Sequence, residues 1–197
     1  ESIINATNSK LKAESNIFKR TNTLLTANAE IAVLPNSTTT LAEATINNNK
    51  IICRKNAGYH IRVGGENTDV SDNKITTITI KNNYCQGENY YNPTTSNGTH
   101  GIFVGFQKNA DIKYNFMIGT GYGAVLKGNG TTTTYSANGF QYNVVKNAKR
   151  GIYLKGVSSL TVNNITFFNS GTEPDYSISI EDNVGSDVGN NTVIKNN

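Results

Sequence analysis

The stretch Ile46-Asn47-Asn48-Asn49-Lys50-Ile51 has the form apolar-x-x-Asn-x-apolar. The same form returns at Val70-Asn73-Ile75, Ile80-Asn83-Cys85, Ile112-Asn115-Met117, Phe140-Asn143-Val145, Leu160-Asn163-Ile165 and Val188-Asn191-Val193. Every flanking position is apolar in a chain that is only 36% hydrophobic, so composition does not explain the pattern. A second motif interleaves with it, a short alternating strand that usually follows Gly. It reads at Ile31-Ala32-Val33, Gly58-Tyr59-His60-Ile61-Arg62-Val63, Gly101-Ile102-Phe103-Val104, Gly123-Ala124-Val125-Leu126, Gly151-Ile152-Tyr153-Leu154 and Ser177-Ile178-Ser179-Ile180. The last strand residue precedes a motif Asn by 10 residues (63 to 73), 11 (104 to 115), 9 (154 to 163) and 11 (180 to 191). This spacing places Asn73 in the series and puts Asn83 inside an insertion, as a mimic of the motif. A repeat of short strands at this period predicts a solenoid of β-coils.

Composition agrees. The 197 residues include 31 Asn, 24 Thr and 18 Gly, all poor helix formers. The net charge of +4 is too weak to indicate nucleic acid, and no run of about 18 apolar residues suggests membrane insertion. The chain begins at Glu1 without a start Met or signal peptide, and the expectation is a processed chain or part of a longer one. Two cysteines, Cys53 and Cys85, do not make a disulfide scaffold; buried thiols are the expectation, with a Cys53–Cys85 disulfide as the alternative. The motif Asn is expected at a sharp turn, where it tolerates the left-handed region and can hydrogen-bond the backbone and the Asn of the next coil. Stacked coils then form an Asn ladder of Asn49, Asn73, Asn115, Asn143, Asn163 and Asn191.

The Asn ladder, the Gly-Ile-x-Leu strands and the coil length resemble the right-handed, single-stranded parallel β-helix of pectate-lyase-like proteins. That resemblance implies an all-β solenoid of six or more coils over residues 28–197. Residues 1–27 are expected to form an N-terminal coil or cap, and loop insertions are expected at 76–100, 127–138 and 166–176. The superfamily includes polysaccharide lyases, polygalacturonases, tailspikes and surface adhesins, and fold alone does not choose among them.

The insertions flank one sheet, which predicts a groove along the axis. Strand alternation predicts an outward set on that sheet. Arg62, Phe103, Tyr153 and Ser179 form one column, Lys127, Lys155 and Glu181 the next, with His60 and Val125 also outward. Tyr84, Tyr90, Tyr91 and His100 are expected at the rim. Cations and aromatics on one strip suit an acidic polysaccharide, although Arg and Lys are ordinary on any outward sheet face. Arg62, His100, Lys127, Tyr153 and Lys155 are the candidate catalytic residues for a lyase; His60, Phe103, Tyr84, Tyr90 and Tyr91 are candidates for substrate binding. Lyases of the resembled family often use Ca²⁺ held by carboxylates, and Glu66, Asp69 and Asp72 are the candidate ligands, or else a solvated acidic turn. Hydrolysis is disfavoured: Asn67-Thr68-Asp69 and Gly98-Thr99-His100-Gly101 match fragments of the polygalacturonase pattern, but no Asp-Asp pair stands between them.

The functional expectation is a polysaccharide-recognising β-helix domain, for an acidic glycan, that either cleaves it by β-elimination or only binds it. The alternative is a structural or adhesive module such as a phage tailspike or a bacterial surface shaft. Either belongs outside the cell, at a cell surface or on a virion. Uncapped solenoid ends expose strand edges, so flanking chain or partner subunits, as in a homotrimer, are expected to cover them.

Overall fold

The computed structural model describes residues 9–20, 29–35, 40–53, 58–65, 74–87, 100–107, 109–128, 139–157, 160–168, 176–181, 193–195 and 197. Three strands make each coil. The first coil holds β1 (Ser9–Glu14), β2 (Ile17–Arg20) and β3 (Ala29–Val33). The second holds β4 (Leu41–Asn47), β5 (Lys50–Cys53) and β6 (Tyr59–Gly64). The third holds β7 (Ile75–Lys81), β8 (Tyr84–Gln86) and β9 (His100–Gly105). The fourth holds β10 (Ala110–Lys113), β11 (Phe116–Ile118) and β12 (Tyr122–Lys127). The fifth holds β13 (Phe140–Gln141), β14 (Val144–Lys146) and β15 (Arg150–Lys155). The sixth holds β16 (Thr161–Asn163), β17 (Thr166–Phe168) and β18 (Tyr176–Glu181), and β19 (Val193–Lys195) opens a seventh.

Each strand pairs in parallel with its counterpart one coil away, giving three sheets: β1-β4-β7-β10-β13-β16-β19, β2-β5-β8-β11-β14-β17 and β3-β6-β9-β12-β15-β18. The molecule is an all-β parallel β-helix. Like residues stack in the interior. Ala13, Ile46, Ile80, Ile112, Phe140 and Val162 form one column. Phe18, Ile51, Cys85, Met117, Val145 and Phe167 form a second, and Val33, Val63, Val104, Leu126 and Leu154 a third. Most of these side chains are fully buried, each contributing about 1.5–3 kcal/mol for a Val, Leu, Ile, Phe or Met.

The ladder differs from the sequence expectation in three coils. Its buried members are Asn49, Asn83, Asn115 and Asn143. The backbone N–H and Nδ2 of Asn49 both donate to Oδ1 of Asn83, at 3.0 Å each. Asn83 donates in the same way to Asn115, and Asn115 to Asn143. Each Nδ2 also reaches back to a carbonyl of the previous coil: Asn49 to Ala13, Asn83 to Ile46, Asn115 to Ile80 and Asn143 to Ile112. Asn16 begins the series by donating to Oδ1 of Asn49. Asn83 is therefore a rung and not a mimic. Residues 76–81 and 84–86, expected inside an insertion at 76–100, belong to the strands β7 and β8 that carry it. Asn73 lies outside the described residues. Asn163 is not a rung: it stands opposite Gln141, on the outward register, and Ile165 occupies the ladder position. The motif in that coil is slipped by two residues, with Val162 and Phe167 as its inward flanks. Asn191 also lies outside the described residues, and Ile165 N–H donates instead to Oδ1 of Asn197 at 2.9 Å.

The left-handed turn residue is not the ladder Asn but the one before it. Ser15, Asn48, Asn82, Tyr114, Tyr142 and Asn164 all have φ between 51° and 59°. The ladder Asn is used for its amide, which both donates and accepts inside the turn. Four of the six turn residues are small polar side chains that tolerate positive φ; Tyr114 and Tyr142 are not, and an ordinary L residue there costs about 1–2 kcal/mol.

No disulfide joins Cys53 and Cys85, and both thiols are buried. Cys85 stands opposite Ile51 rather than Cys53, which separates the two sulfurs along the strand. Burial pushes the Cys85 thiol well above its ordinary range.

Candidate functional site

The outer face of the third sheet gathers most of the expected residues. One outward column runs Ala32, Arg62, Phe103, Val125, Tyr153 and Ser179. A neighbouring column ends Lys127, Lys155 and Glu181. Arg62, His100, Phe103, Lys127, Tyr153 and Lys155 thus share one face, with His100 on β9 itself rather than on a rim loop.

A further column completes the face: Ala29, Tyr59, His100, Tyr122, Arg150 and Tyr176. Tyr59, Tyr122, Arg150 and Tyr176 were not expected there from the sequence. A signal was present, because a Tyr, His or Arg directly precedes the small residue of the Gly-Ile strand in three coils and in the Ser177 coil, and precedes His60 in the second coil. Simple alternation hid it. Tyr59 and Arg62 both lie outside, three residues apart, and His60 and Ile61 between them are both fully buried.

His60 is accordingly not an outward substrate-binding residue; its exposure is 0%. It stands in the inward column that continues as Gly101, Gly123 and Gly151. There the interior has no space for a side chain: a Cβ on Gly101 would lie 2.7 Å from Met117, and one on Gly123 would lie 2.6 Å from Val145. The first two coils carry large groups at this column, Glu30 and His60, both buried, and the sixth carries Ser177. The Cys53 thiol lies 3.3 Å from Glu30 Oε1, as a donor to the carboxylate.

Tyr84 is also placed elsewhere. It lies on β8 of the second sheet, stacked on Phe116 with centroids 5.5 Å apart and ring planes 4° apart. Tyr90, Tyr91, Glu66, Asp69 and Asp72 lie outside the described residues. Among the described residues no group of three His, Cys, Asp or Glu side chains is placed to hold a metal ion.

Rings and cations on the third sheet interlock. Tyr59 contacts His100 and Phe103, with centroids at 4.9 and 5.1 Å, and His100 meets Tyr122 edge-on at 4.7 Å. Tyr122 continues to Tyr153 at 5.9 Å. The Arg62 guanidinium lies 5.2 Å from the Tyr59 ring and 5.9 Å from that of Phe103. Arg150 lies 5.1 Å from Tyr122 and 5.7 Å from Tyr176, and its guanidinium donates to the Tyr122 hydroxyl. Ring contacts of this kind attract cations and hold them in place, and Arg62 Nε also donates to the Gly64 carbonyl at 3.4 Å. The two arginines are three coils apart, roughly 14 Å along the axis.

The far column is arranged differently. Lys155 Nζ meets Glu181 Oε1 at 2.5 Å, and the Tyr153 hydroxyl donates to Glu181 Oε2. The hydrogen bonds from Lys155 and Tyr153 hold the Glu181 carboxyl below the usual range. Burial first, and the Glu181 carboxylate second, push the Tyr153 phenol well above its ordinary value. Burial, with Tyr122 beside it, does the same to Tyr176. At neutral pH Tyr153 is a proton donor and not a base. Lys127 lies 5.5 Å from the Phe106 ring.

No protein family, no curated protein and no solved structure matches this chain.

Proposed function

We propose that the chain is a polysaccharide-recognising module of the pectate-lyase-like superfamily, and that an acidic glycan lies along the outer face of its third sheet. The supporting observation is the pair of arginines, Arg62 and Arg150, each set against two aromatic rings of one continuous face. A guanidinium stacked on a ring keeps edge N–H groups for a carboxylate or sulfate. Two such groups three coils apart suit a ligand with repeated charge better than a single small anion. A ligand of this kind fits a protein that works outside the cell, at a cell surface or on a virion.

On a uronate polymer this face would carry out β-elimination. A cation neutralises the substrate carboxylate, a base takes the C5 proton, and an acid protonates the leaving oxygen as the C4–O bond breaks. Arg62 suits the first role. Tyr153, held as a neutral hydroxyl, suits the last. His100 and Lys127 are the groups left for the base. A bound Ca²⁺ would share the carboxylate-neutralising role, with Glu66, Asp69 and Asp72 as its expected ligands.

A different observation favours a second reading, a non-catalytic adhesive or shaft module. Tyr153, Lys155 and Glu181 satisfy one another, which is the behaviour of a structural cluster. The test separates the two readings. The protein is incubated with acidic and neutral polysaccharides, with and without Ca²⁺, while unsaturated products and new reducing ends are followed. Unsaturated product that disappears in Arg62→Ala establishes the lyase on this face. Acidic-glycan binding without cleavage, weakened in Arg62→Ala, establishes the recognition module. Absence of binding to every acidic glycan leaves the shaft reading.

A further inference from the structure

The second sheet has an outer face of different chemistry. One column runs Ile17, Lys50, Tyr84, Phe116, Val144 and Thr166. The next runs Lys19, Ile52, Gln86, Ile118, Lys146 and Phe168. All twelve positions are described: seven are apolar or aromatic, three are lysine and none is acidic. Ile17 and Phe168 are 76% and 52% exposed. The lysines lie beside rings of the same face, Lys50 5.8 Å from Tyr84 and Lys146 5.0 Å from Phe168.

The turn that leads into this sheet adds a second observation. Tyr114 and Tyr142 occupy left-handed positions at φ 57° and 54°, where four other coils use Ser or Asn. Both rings are about half exposed, 55% and 46%, and they stack on each other with centroids at 5.2 Å. A bulky side chain in this backbone region is unfavourable, and one turned toward solvent recovers little by packing. Asn at the same two positions would relieve the backbone. Strain kept on an exposed surface points to a contact made outside the molecule.

We propose that this face and its tyrosine ridge adsorb the protein onto an anionic lipid bilayer, without insertion. The charge is of one sign, so a negative surface is complementary to it, and a second copy of the same face would meet it with like charge. The size of the face argues in the same direction. Six strands at ~4.8 Å spacing give a patch of roughly 25 by 10 Å, well below the ~800 Å² per partner of a stable protein complex. Tyrosine and phenylalanine beside lysine are the side chains that settle at the level of lipid headgroups. The inference does not depend on what the third sheet binds.

The test is co-sedimentation with vesicles of phosphatidylcholine alone and of phosphatidylcholine mixed with phosphatidylglycerol. The protein is expected to sediment only with the mixed vesicles. The double variant Lys50→Glu with Lys146→Glu is expected to lower that binding at least tenfold. A charge-matched double variant on the first sheet, Lys12→Glu with Lys195→Glu, is expected to lower it no more than two- to threefold. Tyr114→Asn with Tyr142→Asn restores the residue type of other coils; it is expected to raise the melting temperature and weaken vesicle binding together. Equal loss in the two charge-reversal variants would reduce the effect to net charge and overturn the proposal. So would equal binding to phosphatidylcholine alone, or no binding to the mixed vesicles. Oligomerisation in solution that the Lys50 and Lys146 changes abolish would assign the face to a protein partner and overturn it as well.

Discussion

Two columns run along this molecule and are built in opposite ways. In the ladder the same residue returns at Asn49, Asn83, Asn115 and Asn143, and each amide bonds the next in the series. In the outer column of the third sheet no two coils in succession carry the same residue: Tyr59, His100, Tyr122, Arg150, Tyr176. The backbone spacing is the same in both. Where side chains must satisfy one another in the interior, the choice of residue narrows to one. Where they face outward, each coil is free to differ, and the arginines and rings of the third sheet use that freedom.

The largest effect is expected from breaking the uniform column. Asn83→Ala removes the acceptor of the Asn49 backbone N–H and Nδ2 and the donor to the Ile46 carbonyl. At about 1–3 kcal/mol for each buried polar group left unsatisfied, a loss of about 3–5 kcal/mol is expected in denaturant unfolding. A loss below about 1 kcal/mol would mean that water replaces the rung. The glycine corner comes next. Gly123→Ala brings a Cβ to 2.6 Å from Val145 and 2.8 Å from the Gly151 carbonyl, and about 1–3 kcal/mol of overpacking is expected in the same measurement.

The varied column is expected to respond in the opposite sense. Arg150→Ala should leave unfolding nearly unchanged, within about 0.5 kcal/mol, while weakening acidic-glycan binding about tenfold by calorimetry. A large stability loss with unaltered binding would make Arg150 a structural residue and erase the contrast between the columns. A smaller effect sharpens the contrast at the one coil where the ladder lapses. Ile165→Asn offers an Oδ1 to the coil of Asn143, worth about 1 kcal/mol, but removes a buried Ile worth about 1.5–3 kcal/mol, so a small net loss of about 1 kcal/mol is expected in the same measurement.

The smallest effect concerns pH. The folded-state pKa of Glu181 is held below its ordinary 4.5 by Lys155 and Tyr153. Its contribution to stability is therefore present above that value and lost as pH falls through the folded pKa. Glu181→Gln should flatten only this acid limb of the stability curve, and weakly, because the pair faces solvent. A change on the alkaline limb alone would point instead to Tyr153, whose raised phenol pKa favours the folded state until pH exceeds the ordinary tyrosine value.

Much of the fold was legible because a solenoid writes its packing into a short period. The apolar-x-x-Asn-x-apolar motif located three of the four buried rungs, Asn49, Asn115 and Asn143, and Gly-Ile strands located the third sheet. What misled was local mimicry. Loop length shifted the apparent period, which set Asn73 in place of Asn83. In the sixth coil a two-residue slip offered Leu160-Asn163-Ile165 as a rung when Val162 and Phe167 are the inward pair. At the site, alternation from Ile61 and Val63 placed Arg62, Phe103 and Tyr153 on the outer face. It failed at His60, because the strand start sets two adjacent residues inward.

The sequence by itself determined a β-solenoid with stacked apolar columns and a buried Asn series, because those features are local, repeat each coil and follow from side-chain chemistry. It also determined part of the outward set of the third sheet, Arg62, Phe103, Tyr153 and Lys155 among it, through the period of the strand. Only the tertiary structure decided which Asn are rungs, where the glycine corner admits Glu30 and His60, and that Arg62 and Arg150 are each seated against two rings. Those outcomes depend on register between coils more than twenty residues apart in the chain. A register is chosen by the packing of the whole stack, and no single coil carries enough information to specify it.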